Sequence, residues 1–182
     1  MADGTLTIEL STDELRAVTA FAVACVEPAL ALFERHCPDD DRPRAAISAA
    51  RAFAEGGKRT KAIRDGAWAA QRAYQETRDS GRAAASEAAR AAVATASAAY
   101  LHPLAKATQV KHILGSAAHT ARALELEAGD DHAVGDAHIA KAEALACPVV
   151  VRVLSRYPAA PSGGGRAGEL LRRLDAALSA RA

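Results

Sequence analysis

The stretch Ala91–Leu126, AAVATASAAYLHPLAKATQVKHILGSAAHTARALEL, decides the fold. Its first ten residues are mostly alanine, the best helix former, and a helix apolar on nearly every face is a buried one. His102-Pro103 ends that helix, because proline lacks an amide hydrogen and pushes the residue before it out of the helical region. A second helix is expected to start near Leu104 or Ala105. In it Val110, Ile113, Leu114, Ala117, Ala121 and Leu124 recur at helical spacing and form one apolar face. Gln109, His112, Ser116 and His119 gather into a polar stripe on the side expected to face away from the core, and Lys106 falls at the edge of the apolar face. Two helices joined at a proline corner, one of them buried all round, predict an all-α protein with the alanine helix at its centre.

Upstream, Ser11-Thr12-Asp13-Glu14 reads as a capping box opening a helix with Leu15, Val18, Phe21, Ala22, Cys25 and Val26 on one face. Pro28 should kink or break it, and Pro38 must follow its end. In Asp39-Asp40-Asp41-Arg42-Pro43-Arg44, Asp40 or Asp41 caps the next helix and Pro43 sits in its first turn. Two arginines at a helix start oppose the macrodipole, so they call either for local ion pairs or for the acids of a partner. That helix runs through Ile47, Ala50 and Phe53 to Gly56-Gly57. The next spans roughly Thr60 to Asp79, and its Trp68, the only tryptophan, is read as a core anchor; an exposed tryptophan would instead mark a partner interface.

Downstream, Asp130-Asp131-His132 starts a helix with His138 on its core side. Pro148 forces a restart before Val149–Leu154, whose β-branched run reads as a buried helical turn because no second strand is visible to pair with it. The segments divide into a helical bundle over 1–157, a Pro/Gly-rich linker over 158–165 (PAAPSGGG), and an amphipathic helix over 166–182 that docks on the bundle or serves self-association. The expected architecture is a single-domain, alanine-rich helical bundle of about six to seven helices.

Charge and composition bound the function. With 23 basic and 22 acidic residues in 182, the chain lacks the basic excess of a general nucleic-acid binder. No stretch of about 18 apolar residues is apparent for crossing a membrane, and the acidic start MADGT does not resemble a secretory leader; a cytoplasmic location is the expectation. Cys25, Cys37 and Cys147 have no metal-binding or redox spacing and read as idle thiols. His112 and His119 stand about 10 Å apart along one helix, too far to share an ion. With no Glu-x-x-His pair, nucleophile elbow or phosphate loop, neither cofactor nor metal is expected.

The strings CVEPALALFERHCPDDDRPRAAISAARAFAEG (25–56) and YLHPLAKATQVKHILGSAAHTARALELEAGDD (100–131) resemble the alanine-rich helical immunity proteins of bacterial polymorphic toxin systems. The best markers are Asp41-Arg42-Pro43-Arg44, with Ala46-Ile47 and Ala50-Arg51 behind it, and the alanine helix leading to His102 and His112. The resemblance covers Leu15 to Asp131, and the tail from Ala133 onward lies outside it. It implies a non-enzymatic protein that binds a cognate toxin. On that reading the binding candidates are Asp41, Arg42, Arg44, His102, Lys106, Gln109, Lys111, His112 and His119. The alternative is a small-ligand or catalytic pocket near His102, Lys106 and His112.

Overall fold

Ser11 Oγ accepts from the Glu14 amide at 3.1 Å, and the Glu14 carboxylate accepts from the Ser11 amide at 2.9 Å, closing the expected capping box. It opens α1, Thr12–His36. The computed structural model describes residues 6–182, so the acidic start at 1–5 lies outside the described residues. After α1 come α2 (Arg42–Ala54), α3 (Lys61–Asp79), α4 (Ala83–Ala98), a 3-10 turn at Ala107–Gln109, α5 (Val110–Glu127), α6 (His132–Leu145), α7 (Pro148–Leu154) and α8 (Gly165–Ser179). The described residues thus form eight α-helices, more than the six to seven expected, because Pro148 starts a short helix of its own with the proline in its first turn. Val150, Val151, Val153 and Leu154 of α7 are buried, which settles that run as helix.

α4 sits in the middle. It packs against α1, α2, α3 and α5, and its Ala85, Ala88, Ala89, Ala91, Ala92 and Ala96 are buried. Alanine buries little area of its own but allows helices to approach closely. The larger gain, ~1.5–3 kcal/mol per fully buried large side chain, comes from residues such as Phe33, Leu32, Ile47, Ile63, Ile113 and Leu114. α2 and α3 approach closely: a Cβ on Gly66 would stand 3.0 Å from Ala46 Cα.

Two apolar clusters meet along α1. Val18, Phe21, Ala22 and Cys25 join α5 to α8 in one cluster; Val26, Leu30, Leu32 and Phe33 join α2, α3 and α4 in the other. α1 serves both and passes through Pro28 as one continuous helix, so the break offered as one outcome at Pro28 does not occur. Pro28 and Ala24, whose carbonyl loses its partner, both lie on the exposed side, where water can satisfy that carbonyl. A second expectation is also corrected: α1 is long and apolar enough to cross a membrane by length and composition, and more than half of its most apolar stretch is buried inside the bundle.

The proline corner is longer than expected. Residues 101–106 are not helical. Ile8 N donates to Pro103 O at 2.8 Å and Ala105 N to Leu6 O at 2.9 Å, so the segment pairs with the chain before α1. α5 therefore begins at Val110 rather than near Leu104. The connector before α8 is also held in place: Ala160 N donates to Asp175 Oδ2 at 2.8 Å, and Arg172 Nη1 to Gly163 O at 2.7 Å.

Candidate functional site

α3 lies at the edge of the bundle and buries one stripe, Ile63, Ala70, Ala73 and Thr77. Trp68 is off that stripe and is 63% exposed, so the expected core anchor is a surface ring. It stands on a groove of about 690 Å³ between α3 and the outer flank of α4, lined among others by Arg64, Gln71, Arg90, Val93 and Tyr100. His112 of α5 stands at one end. There the groove continues into a narrower pocket of about 270 Å³ shared with Lys111 and His119 of α5 and with Gly164, Ala167 and Gly168 of the α8 region.

The two arginines that line the groove rest on rings. The Arg64 guanidinium lies 5.4 Å from the Tyr100 ring centroid, Arg59 lies 5.2 Å from the same ring, and Arg90 lies 4.7 Å from that of Tyr74. Tyr100 is fixed in turn, its hydroxyl donating to Thr60 O at 3.2 Å. Such stacking restrains the guanidinium plane and leaves its N–H edges free to donate. Burial holds the His112 pKa below the ordinary histidine value; a hydrogen bond with the Ser97 backbone works against this and the neighbouring His102 adds to it. Burial thus favours the uncharged imidazole at His112. His119 Nδ1 pairs with Glu87 Oε2 at 2.7 Å, joining α5 to α4.

The polar stripe of α5 does not face away from the core. Because α5 packs against α1, α4, α6 and α8, Ser116 is buried, donating to Ala22 O at 2.7 Å and bonding Thr95 Oγ1 at 2.9 Å. Gln109 accepts from the His102 amide at 2.9 Å and so braces the corner. The His102 carbonyl accepts from Tyr157 Oη at 2.9 Å, while its residue as a whole is exposed. Lys106 is exposed and precedes the 3-10 turn, so it is not at the edge of a helical apolar face. Neither His102 nor Lys106 lines the groove; Lys111, His112 and His119 do.

The acidic-to-basic turn is used within the chain. Arg42 donates to Asp40 Oδ2 at 2.7 Å and to Glu76 Oε1 at 3.0 Å, binding the start of α2 to α3. Arg44 grips Glu34 of α1 with bonds of 2.5 and 2.7 Å. The Asp40 carboxylate also accepts from the Arg42 amide at 3.1 Å; Asp41 is the N-cap residue but makes no side-chain capping bond.

Sequence reading missed a second polar cluster. Glu125 is fully buried and takes Arg166 Nη2 at 2.7 Å and Arg122 Nη1 at 2.9 Å, while Arg166 also reaches Asp136. Gly135 faces this carboxylate, and a Cβ there would lie 2.1 Å from Glu125 Oε1. The signal was available: Glu125 follows Ala117 and Ala121 at four-residue intervals, on the buried line of α5. Oxygen and nitrogen atoms of Glu125, Asp130 and His132 come within 4.8 Å of one another, but arginines already neutralise Glu125 and Asp130, so the cluster is an ion-pair network.

A ring, stacked guanidinium groups and amide donors along an open groove are the chemistry of a recognition surface. Residues 9–146 match the family model described as "Imm-5 like putative immunity protein", and the chain belongs to that family. The match runs from the chain before α1 to the end of α6, leaving α7 and α8 beyond it. Comparison with curated proteins and with solved structures returned no match.

Proposed function

We propose that this protein binds a cognate bacterial toxin in the cytoplasm and neutralises it by covering its working surface, without catalysing a reaction. Membership of an immunity-protein family supports the general kind. The observation that carries the choice of surface is Trp68, a large ring left 63% exposed on the rim of a donor-rich groove. A tryptophan of this kind offers ~150–250 Å² of contact area and is the residue most enriched among interface hot spots. Lys111, His112 and His119 stand on the same face. Arg42 and Arg44, already held by internal carboxylates, would have to break those pairs to bind a partner.

The test is co-expression. A toxin domain encoded by an adjoining reading frame should arrest growth of a host lacking this chain and spare a host that makes it, and the purified proteins should form a stable complex. Killing that continues undiminished with every adjoining product overturns the proposal.

A further inference from the structure

We infer that the groove between α3, α4 and α5 receives an acidic segment of the toxin, its carboxylates seated on Arg64 and Arg90 and an apolar side chain laid on Trp68. This rests on the toxin-binding reading and specifies the chemistry of the partner.

The evidence is in how the arginines are used. Outside the groove many are matched by acids, as Arg42 is by Asp40 and Glu76, Arg44 by Glu34, Arg156 by Glu14 and Arg166 by Glu125 and Asp136, while Arg59, Arg82, Arg172 and Arg181 donate to backbone carbonyls. Arg51 is matched by Glu27 and Arg122 by Glu125 and Asp130. Among the described residues, Arg64, Arg90 and Lys111 have no carboxylate oxygen within 4.0 Å, and no aspartate or glutamate lines either part of the groove. In a chain whose formal charge is only +1, this groove brings Arg64, Arg90 and Lys111 together with no carboxylate in its lining. Low-dielectric walls focus the field of such charges.

Geometry adds to charge. Arg64 and Arg90 are restrained on Tyr100 and Tyr74, so little freedom is lost when each forks onto a carboxylate. Gln71 and Gln75 add amide groups along the same wall. An apolar neighbour of the acids would cover Trp68. The low overall charge does not supply the extended basic field that a polyanion such as nucleic acid requires, and the groove is open along its length rather than enclosed around a small molecule.

The experiment uses the full chain and the toxin domain defined by the co-expression test, with affinity measured by titration calorimetry and association rates followed from about 50 to about 300 mM salt. Arg64→Glu with Arg90→Glu should weaken binding by about 100-fold or more and flatten the salt dependence of association. Arg64→Gln with Arg90→Gln should fall between that variant and the wild type, and serves if the reversed pair folds poorly. Trp68→Ala should cost about 10-fold or more, while Arg152→Glu on the exposed side of α7 should stay within about threefold. Wild-type affinity in both double variants, with the unaltered chain still protecting cells, overturns the groove assignment and leaves the toxin-binding reading standing. Failure of the unaltered chain to protect or bind removes that reading itself. Binding of a mononucleotide that both double variants lose, with toxin affinity unchanged, assigns the groove to a small anion and overturns the inference.

Discussion

Arg166→Ala tests the buried ion pair that fastens α8. Glu125 has no exposed side-chain surface, and the side chain of Arg166 is only 12% exposed. Arg166 gives Glu125 Oε1 two bonds, of 2.7 Å from Nη2 and 3.0 Å from Nε, whereas Arg122 holds Oε2 at 2.9 Å. Removing one partner of a buried pair costs ~3–5 kcal/mol, because a desolvated charge is left behind. Here Arg122 keeps half of the carboxylate neutralised, so the expected loss is about 2–3 kcal/mol. For a chain of this size that lowers Tm by about 5–10 °C. Circular dichroism during heating, together with urea unfolding, measures it. Hydrogen exchange should show α8 opening before the rest. Glu125→Leu with Arg166→Leu should recover more than half of the loss, since no carboxylate then remains in the apolar site. A Tm within about 2 °C of the wild type for Arg166→Ala would mean that water reaches Glu125 freely, and would refute the buried-pair reasoning.

Three further outcomes are expected. His138 is buried with Nε2 unpartnered, and burial, aided by Lys141, holds its pKa down to about 4. A histidine depressed in the fold takes up its proton more readily when unfolded, so stability should fall as pH drops from about 6.5 toward 4, by on the order of 3 kcal/mol at most; His138→Leu should flatten that limb in urea titrations at successive pH values. Gly66→Ala places a methyl group against the Ala46 backbone and should cost about 1–3 kcal/mol in the same assay. Trp68→Ala should leave stability within about 0.5 kcal/mol, because the residue is mostly exposed, which separates its binding role from a folding role.

Short-range signals gave the helices. The Ser11–Glu14 box, the proline at the start of α2 and the Asp131 cap each depend on residues a few positions apart, so they could be recognised before any tertiary contact was known. The alanine content of Ala83–Ala98 likewise marked the central helix, because such a surface has nothing to offer water. Helical periodicity misassigned Ser116 for a definite reason. It divides a helix into an apolar and a polar side, but α5 has neighbours on four sides, and a serine can be buried there by bonding to Thr95 and to the Ala22 carbonyl. Local strain at Pro28 argues for a break, whereas the two clusters that α1 bridges hold the helix through it.

The sequence by itself determined an all-helical chain, its cap and proline boundaries, and the acids and arginines of the Asp40–Arg44 turn. Tertiary structure alone decided which charges are matched. Arg42 and Arg44 find Glu76 and Glu34 on other helices, Glu125 is enclosed by Arg122 and Arg166, and Arg64 and Arg90 are left with rings rather than carboxylates beside Trp68. Spacing along one helix cannot reveal those pairings, because the energy of a charge depends on the groups and the solvent that the whole fold brings around it.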